Sequence, residues 1–379
     1  MLHNLLFFFP LFVFFTLLTI RAGLFKSVRN SDKSLFANQL VFLFILFTAL
    51  FVAYRPLDVS DAMPYFIRYT TAPNNTTFSD IVNADSFYRG TDYSMSKLVN
   101  SLFYLSYKIG LSYRVFVFLV SLVVIEICFF YSKKVLNVYS VEYNDYLLLS
   151  MILIFFSFRY QFVAFAQGVA MCIGLPILYY LIRKKYFKLF LCCLLAVSIH
   201  ISGVYYIVLV LIHIFSKKNK YLCIFFWGII GVLLFSKYGV LVNNKILYLV
   251  NRGINYVATG NPIYGNYLKQ EETISLAVTN LLYWGLCGIL ILVRIDYAEY
   301  WKIISILVIS LLANILFSSW AVVHRFTDCA KVYMPLAIIL YVYKAKPTVV
   351  FIKGKDKAIV VFSVFWLGFA HSLSLLGFV

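Results

Sequence analysis

The sequence predicts an all-α, polytopic integral membrane protein with about 10 to 12 transmembrane or re-entrant helices and a cavity on its outer face. Hydrophobic residues make up 63% of the 379 residues, and charged residues only 13%. Apolar runs of about 18 to 20 residues, which is the length that crosses a hydrocarbon core, recur along the chain. No long polar segment separates them, so residues 1–379 are expected to form a single membrane domain.

Full spans are expected wherever an apolar run has crossing length. Residues 2–20 carry no basic stretch before the run and no small-residue cleavage site after it, so we expect a retained helix and not a signal peptide. The expected spans lie near residues 2–20, 35–54, 112–131, 221–241, 274–293, 301–320, 329–343 and 358–378. Residues 98–110 form either a short interfacial helix, which we prefer, or part of a further span.

The formal net charge of +18 is concentrated in short basic segments between the apolar runs. This pattern orients membrane proteins and does not indicate nucleic-acid binding, because basic loops stay in the cytoplasm. The basic segments are 21–34, 132–134, 183–188, 216–220 and 344–357. Both termini and two long loops, about 55–97 and 242–273, are therefore expected on the outer side.

Two segments must turn within the membrane if this orientation holds. Residues 146–182 leave from and return to basic clusters, so they are predicted to form a hairpin with Arg159 at its outer bend. An arginine at mid-bilayer would cost from about 2.5 to more than about 10 kcal/mol, which the bend avoids. Residues 189–215 also begin and end beside basic clusters. They are predicted to be a re-entrant pair of short helices with His200 at the turn, the alternative being one long crossing.

The stretch after the second span carries the first candidate site. Arg55, Asp58, Asp61 and Tyr65 emerge together on the outer side. An arginine beside carboxylates suits a site for anions and sugars. The alternative is a solvated loop in which ion pairs form incidentally and contribute little.

Two further candidates lie in the predicted turns. Arg159, with Gln161 and Gln167, is either a functional cation or an anchor at the membrane interface. His200 can move protons near neutral pH, or it can be a buried histidine that bonds to a backbone carbonyl.

The fourth candidate lies between two late spans on the predicted outer face. His324, Arg325 and Asp328 occur there, and Arg325 and Asp328 are spaced to pair along a helix. The alternative is a structural salt bridge in a loop.

The sequence carries no signal for a metal, a disulfide or a nucleotide. None of the cysteines has CxxC spacing, and no His/carboxylate cluster or paired aspartates could hold a metal. No Walker loop, GxGxxG motif, HExxH motif or nucleophile elbow occurs, which argues against an ATP-driven pump and a recognised hydrolase. We therefore expect no cofactor.

Four segments together resemble the EpsG-type members of the Wzy polysaccharide polymerases, within the broader O-antigen polymerase and ligase group. Arg55, Asp61 and Tyr65 are similar to that family's "R…GxDxxxY" segment, although Val59 stands where the family has glycine. The other three segments are "FRYQFVAFAQGVAM", "LLAVSIHISGVYYI" and "HRFTDCAKVYMPLAIIL", the last through Arg325, Tyr333 and Pro335. The order and spacing agree from about residue 50 to 340.

The resemblance implies a reaction at the periplasmic face of the bacterial inner membrane, in O-antigen, capsule or exopolysaccharide synthesis. An acceptor hydroxyl of one undecaprenyl-diphosphate-linked oligosaccharide attacks the anomeric carbon of a second, and undecaprenyl diphosphate leaves without help from a metal. Arginines, among them Arg159 and Arg325, would stabilise the leaving diphosphate, and His200 or Asp61 would take the proton. The implied substrate-binding residues are Arg55, Asp58, Tyr65, Gln161, Gln167, His324 and Tyr333. A chain-length regulator and a flippase are the implied protein partners.

Three alternatives remain open on the sequence. An O-antigen ligase uses the same donor with a lipid A core acceptor. A polyprenyl-phosphate-sugar glycosyltransferase is a second possibility. The non-enzyme alternative is a glycolipid transporter or flippase, although such proteins often show repeats and mid-membrane charges.

Overall fold

The described part of the computed structural model is almost entirely helical, as the sequence predicts. The structure describes residues 35–57, 62–71, 86–88, 91–93, 97–141, 143–153, 155, 165–216, 220–235, 278–291, 298–316 and 327–344. The predicted spans 2–20 and 358–378 lie outside them. The chain divides into two compact units: the described residues up to Ile207 belong to the first, and those from Val208 onward belong to the second. The expectation of a single membrane domain stays a prediction.

The first unit contains most of the described helices. They are α1 Leu35–Ala53, α2 Ala62–Thr71, α3 Lys97–Lys108, α4 Tyr113–Val138, α5 Asp145–Ile152, α6 Phe165–Cys172, α7 Gly174–Ile182 and α8 Tyr186–Ile199. A 3-10 turn over Ile201–Val204 follows α8, and α9 Tyr205–Phe215 begins directly after it. Strands β1 Ser86–Tyr88 and β2 Thr91–Tyr93 form a short antiparallel pair in which Phe87 lies opposite Asp92.

Helix α4 is the longest described element and organises the first unit. Its 26 residues are long and apolar enough to cross a membrane. The Ser112 hydroxyl caps its start by accepting a hydrogen bond from the Val115 amide at 3.3 Å. Helices α1, α6 and α7 pack along it. By contrast, α3 has 12 residues and reaches only about 18 Å, too short for a core of about 30 Å. Residues 98–110 therefore contain a short helix, as preferred, while its position at the membrane interface stays a prediction.

Helices α6 and α7 form one span with a break at Ile173. Pro176 has no amide hydrogen and cannot bond the carbonyl four residues earlier, which loosens the helix there. The hydroxyl of Tyr206 donates to the Met171 carbonyl at 2.8 Å. A Cβ at position 174 would meet the Tyr206 ring, so glycine is required for this approach. The predicted bend at Arg159 lies outside the described residues.

The predicted turn at His200 is confirmed. Helix α8 ends at Ile199, and His200 has extended backbone angles before the 3-10 turn. Gly203 lies against the backbone of Ala196 and Val197, where a Cβ has no room. This close approach requires the chain to fold back on the end of α8. Whether the segment re-enters on the same side stays a prediction.

The second unit contains five helices within the described residues, counting α9, which continues into it. The others are α10 Lys220–Phe235, α11 Val278–Ile291, α12 Ala298–Leu316 and α13 Met334–Lys344. Helix α12 packs against α10, α11 and α13, and its residues Ile303, Ile304 and Leu307 are fully buried.

A reciprocal tryptophan pair joins α10 to α11. The rings of Trp227 and Trp284 stack with centroids 4.7 Å apart. Each indole N–H donates to the other residue's carbonyl at 3.0 Å. Gly231 and Gly288, one turn further along each helix, leave room for the opposite ring. The two helices are thereby fixed in one register.

Candidate functional site

The structure describes five of the residues predicted for the site. Arg55, Tyr65, Gln167 and His200 lie in the first unit, and Tyr333 lies in the second. Asp58, Asp61, Arg159, Gln161, His324 and Arg325 lie outside the described residues.

Arg55 is almost completely buried just beyond the end of α1. Pro56 follows it, and the residue before a proline is disfavoured in a helix, which ends α1 here. Only 1% of Arg55 is exposed. Its guanidinium carbon Cζ lies 5.6 Å from the ring centroid of Phe165, and its positive charge interacts with the hydroxyl of Tyr113. A buried cation requires such partners, because leaving water is costly.

Phe165 brings two of the predicted candidates together. The ring centroids of Tyr65 and Phe165 are 6.3 Å apart, in an edge-on arrangement. Phe165 thus contacts both Tyr65 and Arg55, and it begins α6, six residues after Arg159 in the sequence. The segment around Arg55 and the segment that follows Arg159 therefore meet at one aromatic ring.

Arg114 is a residue that sequence reasoning missed. From the start of α4, its Nη1 donates to the carbonyls of Ala53 at 2.6 Å and Arg55 at 2.7 Å. It thereby satisfies carbonyl groups at the end of α1, where a cation is also favoured by the helix dipole. One signal was present in the sequence: a cation in the first turn of a helix is unfavourable for that helix. Such an arginine is expected to serve a partner elsewhere.

A second buried polar contact links α2 and α3. The Nε of Arg68 donates to the Oδ1 of Asn100 at 3.4 Å, and Asn100 is fully buried. The Tyr69 hydroxyl donates to the Leu111 carbonyl at 2.8 Å. These contacts join residues more than 30 positions apart and carry no local sequence pattern.

Tyr113 ties Arg55 to the start of α2. Its hydroxyl donates to the carbonyl of Ala62 at 3.4 Å. Ala62 is bonded directly to Asp61 in the chain. The first residue of α2 is therefore anchored beside the buried guanidinium of Arg55.

Gln167 lies two residues beyond Phe165 on α6 and is 8% exposed. Its side-chain Nε2 makes no hydrogen bond to the part of the chain that the structure describes. A buried amide N–H without an acceptor costs about 1–3 kcal/mol. Such a donor is a candidate for contact with a polar ligand.

His200 caps the 3-10 turn through its imidazole. Its Nδ1 accepts a hydrogen bond from the Ser202 amide at 3.1 Å and lies 2.8 Å from the Ser202 hydroxyl. Because Nδ1 is the acceptor, the proton of the neutral ring is on Nε2. The hydroxyl of Ser198 instead bonds the Leu194 carbonyl at 2.8 Å. The structural alternative in the sequence analysis was a histidine bonded to a backbone carbonyl; in the structure, Nδ1 bonds the backbone amide of Ser202.

The late candidates lie in the second unit. Asp328 is buried and pairs with Lys331 at 3.0 Å, while its predicted partner Arg325 lies outside the described residues. Tyr333 is buried immediately before α13. The Thr327 hydroxyl donates to the Ser310 carbonyl at 2.9 Å, which fixes this segment to α12.

The described residues contain no group of three or more His, Cys, Asp or Glu that could hold a metal. The prediction of a metal-free reaction remains a prediction.

Comparison with known proteins gives one match. The model of the EpsG family matches residues 38–376. No curated protein and no solved structure matches the chain.

Proposed function

The chain belongs to the EpsG family, and on that premise we propose that it polymerises undecaprenyl-diphosphate-linked oligosaccharide repeat units at the periplasmic face of the bacterial inner membrane. The family membership, over most of the chain, is the observation that carries the proposal. It supports a Wzy-like polymerase or a related glycan-processing membrane protein. Within the described residues, three apolar helical segments are long enough to cross a membrane, which fits a lipid-linked substrate.

The proposed reaction transfers the growing glycan to a new repeat. The hydroxyl oxygen of the acceptor attacks the anomeric carbon of the donor, and the bond from that carbon to the diphosphate breaks. The hydroxyl proton passes to a base, and undecaprenyl diphosphate leaves with the bonding electrons. Charge therefore builds up on the diphosphate, where preorganised cations lower the barrier most.

The buried guanidinium of Arg55 supports an anion site in the first unit. Its planar fork of N–H donors matches the geometry of phosphate oxygens. Phe165 and Tyr113 hold it, and Arg114 fixes its backbone. Arg159 is six residues from Phe165, a distance that extended chain bridges within about 20 Å. We propose that Arg55 and Arg159 bind the leaving diphosphate, and that Arg325 is also required for the reaction.

Asp61 is the better candidate for the base. The Nδ1 of His200 accepts hydrogen bonds within the turn, so it would have to leave that cap before taking a proton. Asp61 adjoins Ala62, which Tyr113 ties to the region of Arg55. We therefore assign proton transfer to Asp61, and to His200 the shaping of the turn. Tyr65 and Gln167 are proposed to contact sugar, as are Asp58, Gln161, His324 and Tyr333.

A deletion strain separates this proposal from its rivals. A polymerase deletion is expected to leave surface lipid capped with a single repeat unit, because ligation and flipping still operate. A ligase or a flippase deletion leaves no surface repeat at all. Plasmid-borne wild-type protein should restore the full ladder of chain lengths. A deletion strain without any capped lipid would contradict the polymerase assignment. A chain-length regulator and a flippase are the proposed partners.

A further inference from the structure

A cluster of tyrosines and lysines lies at the far end of α4, away from Arg55. It is built from α4, α7 and α8, all within the first unit. We call it the tyrosine–lysine cluster; its members are Tyr131, Lys134, Tyr179, Tyr180 and Lys188. Nothing in the proposed reaction uses these residues.

Two phenols form the centre of the cluster. The hydroxyls of Tyr131 and Tyr180 are 2.9 Å apart. In such a pair one hydroxyl donates to the other, so the second hydroxyl keeps a hydrogen for another acceptor. The ring of Tyr179 packs against Tyr131, with centroids 5.7 Å apart. The cluster therefore offers a phenolic donor held in a fixed position.

The two lysines flank this pair and rest on aromatic rings. The Nζ of Lys134 lies 4.1 Å from the ring centroid of Phe130, 5.4 Å from that of Tyr131 and 5.5 Å from that of Tyr179. The Nζ of Lys188 lies 5.9 Å from the ring centroid of Tyr180. Contact with ring faces orients an ammonium and leaves some of its three N–H donors available.

The charge of these two lysines is not neutralised within the described residues. Their neighbour Lys133 pairs with Asp145 at 3.0 Å. Neither Lys134 nor Lys188 has a carboxylate partner among the residues that the structure describes. Helix α8 also begins without a side-chain cap and without an acidic residue in its first turn. Among the described residues, the cluster thus presents two ammonium groups and a phenolic donor, a combination that suits an anion.

Exposed aromatic side chains beside the cluster indicate where the anion comes from. Phe130 is 50% exposed, Phe187 is 74% exposed and Phe190 is 62% exposed. Bare rings at the end of an apolar helix, next to lysines and tyrosines, match the boundary between acyl chains and headgroups. Basic pockets between transmembrane helices bind anionic headgroups there.

We propose that the tyrosine–lysine cluster binds the phosphate of an anionic phospholipid headgroup, with the acyl chains lying along Phe130, Phe187 and Phe190. Lys134 and Lys188 contact the phosphate oxygens, and the phenol pair donates one further hydrogen bond. This proposal does not depend on the proposed reaction, and it applies whichever glycan reaction the protein carries out.

The test measures lipid affinity of the full-length protein by native mass spectrometry, with phosphatidylglycerol titrated into detergent. Lys134→Met and Lys188→Met should each weaken binding about tenfold or more, the size of one lost charge-assisted hydrogen bond. Lys185→Met is the matched control. It removes the same charge from an exposed residue of the same segment, and affinity should stay within about twofold of wild type.

Two results would overturn the proposal. Equal weakening in all three variants would mean that only the general positive charge of this surface attracts the lipid. Full displacement of phosphatidylglycerol by inorganic phosphate at matched ionic strength would assign the site to a soluble phosphate compound. Thermal unfolding of each variant without lipid checks that the Met substitutions leave the protein folded.

Tyr180→Phe is a further variant, which keeps both lysines. This variant should weaken binding by a smaller factor than Lys134→Met. An affinity equal to that of the wild type would remove the phenols from the site.

Discussion

The guanidinium of Arg55 lies over the ring of Phe165, with Cζ 5.6 Å from the centroid. These residues are 110 positions apart, one at the end of α1 and the other at the start of α6. The contact joins two segments that the sequence marked separately as candidate sites. It places a buried cation next to the chain that leads back to Arg159, and the proposed diphosphate site depends on this relationship.

Arginine-to-lysine substitutions test whether these cations bind phosphate. Arg55→Lys, Arg159→Lys and Arg325→Lys are each expected to reduce polymer formation almost as much as the alanine variants. Lysine keeps the charge but loses the planar two-point hydrogen bonding. The readout is ladder length on a gel, with membrane levels matched by blot.

The control for these variants is Arg183→Lys, at an exposed position after α7, which should give wild-type ladders. If the arginines only anchor helices at the interface, lysine will replace them, because it reaches the headgroups equally well. Wild-type ladders from all three lysine variants would mean that Arg55, Arg159 and Arg325 have a structural role.

Arg114→Gln tests whether Arg114 holds the backbone of Arg55 in position. The substitution removes the charge from two short hydrogen bonds to the carbonyls of Ala53 and Arg55. We expect the free energy of unfolding to fall by about 2 kcal/mol, and activity to fall further than stability explains, because Arg55 loses its fixed position. Thermal unfolding in nanodiscs, run beside an activity assay at a temperature where both proteins are folded, gives the two quantities. An unchanged turnover in folded Arg114→Gln would separate Arg114 from the site.

Asp61→Asn and His200→Asn distinguish the base from the cap. Asparagine is close in size to aspartate, and it is also favoured at the first position of a helical turn, so each variant should fold. Loss of a general base typically costs about 10²–10⁴-fold in rate, and we expect this for Asp61→Asn. His200→Asn should keep most activity, since the amide oxygen can accept from the Ser202 amide.

The opposite order of effects, with His200→Asn inactive and Asp61→Asn active, would move proton transfer to His200. Normal rates in both variants would place the base elsewhere, with Asp328 and Asp58 the next candidates. His200→Ala serves as the control for the cap, and should lower stability by about 1 kcal/mol.

Cysteine labelling tests the orientation. In a background with the native cysteines replaced, residues placed in 183–188 and 216–220 should react only with reagents that enter the cytoplasm, and both termini should react from outside. The basis is the distribution of basic clusters. Labelling of position 218 from the outside alone would make 189–215 a single crossing and would remove the re-entrant turn at His200.

The sequence predicted the features that depend on apolar length and local chain signals. The ends of α1, the start of α4, the short helix α3 and the break at His200 follow from run length, charge and polar interruptions. The predicted end of α4 near residue 131 was wrong, because the helix continues through the basic residues 132–134 to Val138. Contacts that depend on helix register could not be predicted. The stacking of Trp227 on Trp284 and the bonds from Arg114 to α1 each join residues that are distant in the sequence. The sequence around either residue of such a pair gives no indication of its partner.

The sequence predicted several residues of the candidate site, but it did not predict the residues that hold them in place. Tyr65 and Arg55 were expected together, and both contact Phe165. In the sequence, nothing distinguishes Phe165 from the other phenylalanines of this phenylalanine-rich chain. The hydrogen bond by which Nδ1 of His200 caps the turn could not be predicted either. A histidine between two apolar runs has the same sequence pattern whether its ring transfers a proton, bonds a carbonyl or bonds an amide.

Polymerisation by the purified protein tests the central claim most directly. The full chain, reconstituted in nanodiscs, is supplied with a single undecaprenyl-diphosphate-linked repeat unit and no other protein. The account predicts a ladder of lipid-linked oligomers with release of undecaprenyl diphosphate, and no ladder from Arg55→Ala at equal protein level. Repeat units that stay monomeric in the presence of folded protein would contradict it.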